Sequence, residues 1–197
     1  MKPGAFERCG STAFSFVQPH LDEIFGGVLV SAVLCNAFYG QFVDGDLPCP
    51  LCLLQRVAFV AVLYGLLLNV VYGAKPLHYS IILISAFLGA AIAMRQVLLH
   101  IIPGTPPYGP PFLGYHYYTW AFLVFSLVIF GTAVISAFSV QYSKGSYVSF
   151  KHQQWFCKLA IGITLLMTLG NAISALIECG PGQCPENPVS YKLLSRQ

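Results

Sequence analysis

Two closely spaced cysteine pairs are the residues of this chain best suited to chemistry. The first is Cys49-Pro50-Leu51-Cys52, followed closely by Gln55 and Arg56. The second lies in Glu178-Cys179-Gly180-Pro181-Gly182-Gln183-Cys184-Pro185. Sulfurs so spaced can close a disulfide and pass electrons by exchange, or bind zinc as thiolates. A thiolate is the attacking species, and a helix N-terminus or a nearby cation favours it. Cys52 falls at the start of a long apolar run, and Arg56 lies one turn further along the same helix face. An arginine at that depth is costly unless it faces a polar partner or site, such as a quinone carbonyl. The plainer reading is that Arg56 reaches back to the lipid phosphates.

The elements that must position these residues are membrane spans. Of 197 residues, 56% are hydrophobic and 9% charged, with a mean hydropathy of +0.70. A soluble domain carries about 25% charged residues. Five windows meet the requirement of about 20 mostly apolar residues: 24–43, 53–73, 77–102, 120–140 and 156–177. The expectation is an all-α membrane protein, one integral domain over 1–197 built as a bundle of five transmembrane helices, with a tail at 178–197. Lys75-Pro76, the Pro/Gly-rich stretch 103–114 and the polar stretch 141–154 separate the later spans. Residues 1–23 hold Glu7, Asp22 and Glu23 and show no charged-then-apolar pattern of a cleaved leader; an interfacial segment at 14–17 is one further reading. The net charge of +3 is small and dispersed, which argues against a nucleic-acid partner.

The basic residues set the orientation. With the N-terminus in the cytoplasm, Lys2, Arg8, Lys75, Lys144, Lys151 and Lys158 lie inside, as the positive-inside rule favours. Arg56, Arg95, Lys192 and Arg196 are then on the outer side. An odd number of spans puts Cys49, Cys52, Cys179 and Cys184 in the same extracytoplasmic compartment, where disulfides persist. Cys9 and Cys157 fall towards the cytoplasm, and Cys35 lies within the first span as a small buried packing residue.

Other side chains are secondary candidates. Arg95 and His100 sit near the outer end of the third span, where a charge in an apolar run marks a functional position. Tyr108, Phe112, Tyr115, Tyr117, Tyr118 and Trp120 read as an interfacial aromatic belt; residues 106–114 as a rigid lid or docking surface, and His116 in a proton relay, are the functional alternatives. Asn36, Asn69 and Asn171 suit interhelical hydrogen bonds of about 1 kcal/mol each. A four-thiolate zinc site built from both cysteine pairs is the competing chemistry.

Cys49-Pro50-Leu51-Cys52-Leu53-Leu54-Gln55-Arg56, placed after one span, resembles the signature of the DsbB family of bacterial disulfide-bond formation proteins. The resemblance runs from the first apolar run to Val140. It implies an inner-membrane protein-dithiol:quinone oxidoreductase that oxidises a periplasmic, thioredoxin-like (DsbA-like) dithiol protein and passes the electrons to ubiquinone or menaquinone. It implies further that Cys49 and Cys52 are the quinone-linked pair, with Cys52 nearer the quinone, Arg56 on the quinone side, and Gln41 at a position where the family also carries a polar residue. Arg95 and His100 are weaker candidates for the quinone pocket. The chain departs from the family in one respect: the loop between the third and fourth spans holds no cysteine. Cys179 and Cys184 are expected to take over as the partner-facing pair, the plainer reading being a static disulfide that pins the tail, and both pairs to be disulfides at rest. The alternatives are a vitamin K epoxide reductase-like enzyme, and a non-enzymatic membrane scaffold with metal-binding or structural cysteines.

Overall fold

The computed structural model describes residues 21–105, 109, 111–139, 142, 155–185 and 188–194. Lys2, Arg8, Cys9, the segment 14–17, Tyr108, Lys144, Lys151 and Arg196 lie outside them. Among the described residues the secondary structure is helical, apart from a single bridge between Phe112 and Tyr115. Five helices follow one another: α1 (Leu21–Phe42), α2 (Pro50–Tyr72), α3 (Pro76–His100), α4 (Tyr117–Ser136) and α5 (Trp155–Cys179). Each contains a stretch long and apolar enough to cross a membrane, so this is a multi-pass membrane protein.

Local chemistry explains the helix starts. Pro50 opens α2 and Pro76 opens α3, positions where the missing N–H costs nothing and the fixed φ suits a helix. Cys49 caps α2, its Sγ accepting from the Cys52 N–H at 3.2 Å. That cap draws the helix start to Pro50, three residues before the apolar window begins. Near the C-terminus of the chain α5 runs through Glu178 and Cys179, so that Glu178 is helical and buried instead of belonging to a solvated tail.

The bundle turns around α2, which packs against α1, α3 and α5, while α4 packs on α3. Its core is a column of Leu34, Phe59, Val62, Ile82, Ala86, Ala90, Ala93 and Phe125. Ala86, Gly89, Ala90 and Ala93 form a small-residue stripe along α3, and the Phe125 ring of α4 fills the space above Gly89. Close approach of this kind replaces the hydrophobic drive that lipid removes. Phe125 also stacks on Phe59 of α2, with ring centroids 3.9 Å apart. Outside, Phe25, Leu77, Phe87, Phe130 and Leu166 are exposed, as a lipid-facing surface requires.

The intramembrane asparagines behave differently from one another. Asn69 Oδ1 faces the Lys75 N–H and His78 Nδ1 at 3.4 and 3.0 Å, tying the α2–α3 turn. Asn171 donates to Met167 O of its own helix instead of bridging helices. Asn36 lines a cavity described below, and Cys35 beside it is exposed on α1 instead of buried, because helix phase turns it away from that face.

Candidate active site

The dithiol occupies the first turn of α2. Cys52 is the third helical residue, where unpaired backbone N–H groups and the helix dipole favour negative charge. The two Sγ atoms are 2.7 Å apart and share a hydrogen bond; a disulfide would bring them to about 2.05 Å. They stand as thiols, so the Cys49–Cys52 pairing expected at rest is not made here. The hydrogen bond shared with Cys52, and then burial, push the Cys49 thiol up.

Gln96 of α3 holds both sulfurs. Its Nε2 donates to Cys49 Sγ at 3.3 Å and to Cys52 Sγ at 3.4 Å. Its Oε1 accepts from Gln55 Nε2 at 2.7 Å, which fixes the amide with its donors towards the sulfurs. Gln55 belongs to the motif, but Gln96 is not an obvious candidate in the sequence, because an amide in an apolar run lacks the prominence of a charge. The signal for Gln96 is its depth: it lies at the level of the dithiol on a helix that packs against α2.

Arg56 lies one turn deeper and is 7% exposed. Its Nη1 donates to Gln41 Oε1 at 2.6 Å and its Nη2 to Ala37 O at 2.8 Å, and its guanidinium carbon lies 5.4 Å from the Phe38 ring centre. It therefore turns into the protein instead of reaching out to lipid phosphates. Gln41 Oε1 also accepts from Ser174 Oγ at 2.9 Å, and Gln41 Nε2 faces Glu178 Oε2 at 3.5 Å. Ser174 and Glu178 are contributions of α5 that the sequence did not single out.

Cys52, Arg56, Gln41 and Gln96 share the wall of one cavity of about 340 Å³, within the roughly 300–1,000 Å³ of small-molecule sites. Gln55 and Asp46 also line it, and Asn36 adds an amide further along α1. The cavity follows α1 from Gln41 to Leu29 between apolar walls that include Phe59, Tyr118 and Val124. A flat ring bearing oxygens and an apolar tail fits such a shape: the ring beside Cys52 and Arg56, the tail along α1. Gly109 and Phe112 close one side, and Trp120 Nε1 pins that loop by donating to Phe112 O at 2.9 Å.

The remaining sequence candidates divide. His100 and His116 both stack on Tyr118, with ring centroids 5.2 and 5.4 Å away, so they border the cavity through that ring. Arg95 is exposed and absent from the cavity wall. One residue of helix is about 100° of rotation, which carries Arg95 away from the face that Gln96 presents to the dithiol. Cys179 and Cys184 form a disulfide at the C-terminus of α5, at the same end of the bundle as Cys49 and Cys52, because Glu178 meets Gln41 there. Sulfurs joined in a disulfide are not thiolates, so a four-thiolate zinc site lacks two ligands in this form. The tail folds back over the helix end, the Lys192 and Leu193 N–H groups donating to Glu178 O and Ile177 O.

A buried dithiol held by an amide at the end of a membrane bundle, beside a mostly apolar cavity, is an arrangement suited to thiol redox chemistry. Residues 24–108 match the family model described as disulfide bond formation protein DsbB. "Disulfide bond formation protein B" of Xanthomonas euvesicatoria is 32% identical over 55% of this chain and 67% of its own length. The proteins of that name from Nitrosomonas eutropha and Marinobacter nauticus are 35% identical, over 34% and 44% of this chain and 44% and 56% of their own lengths. The chain thus spans between about half and two thirds of the length of these relatives. No solved structure matches it significantly. The chain belongs to the DsbB family, and α5 with the tail lies beyond the residues that the family model matches.

Proposed function

We propose that this protein is a protein-dithiol:quinone oxidoreductase of a bacterial inner membrane, with its N-terminus cytoplasmic and its C-terminus periplasmic. The observation that carries the reading is the shared wall of the cavity: Cys52, Arg56, Gln41 and Gln96 line one space whose lining is mostly apolar. A quinone bound there, ubiquinone or menaquinone, would supply the acceptor for the two electrons and two protons that a dithiol releases on becoming a disulfide. Arg56 and Gln41 would hold its oxygens, while Phe59 and Tyr118 would exclude water from the ring.

The thiol steps follow ordinary exchange chemistry. A thiolate of a reduced DsbA-like partner attacks the Cys179–Cys184 disulfide, forming a mixed disulfide and releasing one cysteine as thiolate. The partner's second thiol resolves the mixed disulfide, so the partner leaves oxidised and the tail pair is left as two thiols. The tail pair in turn reduces a Cys49–Cys52 disulfide by the same two steps. A tail disulfide closed beside a reduced Cys49 and Cys52 would then be the state that precedes reoxidation at the cavity. Gln96 then holds the two sulfurs within bonding reach, and the helix N-terminus stabilises charge on Cys52.

Purified protein given a reduced DsbA-like protein and a short-chain ubiquinone is expected to consume quinone and dithiol one for one. Cys52→Ala is expected to lower that rate by about a thousandfold or more, as loss of a covalent nucleophile does. A folded Cys52→Ala protein that still turned over at the wild-type rate would refute the reading.

A further inference from the structure

Glu178 has no part in the scheme above, yet it is fully buried (0% exposed) in the last turn of α5. Its Oε2 faces Gln41 Nε2 at 3.5 Å, and its Oε1 has no hydrogen-bond partner among the described residues. On the far side of Gln41 stands Arg56. The Gln41 amide is fixed between them: its oxygen takes two donors, Arg56 Nη1 at 2.6 Å and Ser174 Oγ at 2.9 Å, which leaves its N–H groups towards the carboxylate. A flipped amide would set its N–H groups against the Arg56 guanidinium, which only donates, and its oxygen against the carboxylate. The amide dipole thus bridges a buried cation and a buried carboxylate, and a charge taken out of water needs such a counter-charge.

We propose that Glu178 is a positioning residue for the quinone end of the site: acting through Gln41, it holds the Arg56 guanidinium at the cavity wall. Ser174 serves the same end by fixing Gln41. The fifth helix thereby completes the ligand site and does more than carry the tail disulfide. This inference rests on the proposed function, because it assumes that the cavity takes a quinone.

Trp120 lines the cavity and, in a Trp155→Phe background, is the one tryptophan of the chain. Quenching of its fluorescence by a short-chain ubiquinone reports binding to the full-length protein without turnover. Glu178→Gln keeps the shape and removes the charge, and is expected to weaken binding about tenfold; Ser174→Ala, which keeps every charge, about threefold. In turnover, Glu178→Gln is expected to raise the quinone KM more than it lowers kcat. With Arg56 already changed to Gln, adding Glu178→Gln is expected to have almost no further effect, because its influence passes through Arg56. A purely structural role would instead give additive losses. Wild-type binding left unchanged by both single variants, or additive losses in the double variant, would overturn the inference and leave the proposed function standing. A wild-type protein that bound no quinone would overturn both.

Discussion

At the scale of single residues, the site turns on a difference between neighbours. Arg95 is the more conspicuous in the sequence, a charge inside an apolar run, whereas Gln96 is the residue that touches both sulfurs. Helix phase decides between them, and phase depends on which face of α3 meets α2, which a single sequence does not carry. Arg56, by contrast, was legible, because its spacing from Cys52 fixes it to the same face of one helix. Gln96→Leu would leave Gln55 Nε2 without its acceptor in a buried site and both sulfurs without a donor. The expected cost is about 1–3 kcal/mol of stability, read as a lower midpoint of thermal unfolding in detergent. Reoxidation of the dithiol by quinone should slow by about tenfold or more. Arg95→Gln, on the exposed face, should stay within about 0.5 kcal/mol of wild type. An equal loss in the two variants would contradict this division of roles.

At the scale of elements, the number and order of the helices were legible because lipid imposes a minimum length on an apolar run. Their ends were less so. Cys49 acts as an N-cap and Pro50 as the first helical residue, so α2 begins before its hydropathy does. Glu178 reads as the start of a polar tail, yet it is helical because Gln41 and, beyond it, Arg56 give its charge a buried partner. Hydropathy counts the charge and has no means of counting the partner. The α3–α4 contact is likewise hidden, since nothing local marks Gly89 as the seat of Phe125. A Cβ at Gly89 would fall on the Phe125 ring, and Phe125 in turn stacks on Phe59 at the cavity wall. Gly89→Leu should therefore cost about 1–3 kcal/mol or more by overpacking, whereas leucine at exposed Phe87, on the lipid face, should cost little. Comparing unfolding midpoints of the two variants in detergent checks this, and equal midpoints would show that α4 does not seat on α3 in this way.

At the scale of the whole molecule, the antiparallel bundle brings the last turns of α1, α3 and α5 and the first turns of α2 and α4 to one end. The dithiol, the cavity mouth, the loop pinned by Trp120 and the tail disulfide all gather there. An odd number of spans made that gathering foreseeable, since it returns residues 178–197 to the side of Cys49. What the sequence left open is whether the tail pair passes electrons or only staples the tail. The geometry bears on this, because Lys192 and Leu193 already hold the tail against α5 through backbone hydrogen bonds, so the disulfide is not the sole restraint on it. If the pair is a relay, changing both Cys179 and Cys184 to Ser should stop oxidation of a protein dithiol, a loss of about a hundredfold or more. The same protein should still pass electrons from dithiothreitol to quinone, because a small thiol can reach Cys49 and Cys52 directly. If the pair is only a staple, the two activities should rise or fall together, following the stability lost with a short-loop disulfide, at most about 3 kcal/mol. The ratio of the two rates in the double variant, measured beside its unfolding midpoint, therefore separates an electron relay from a brace.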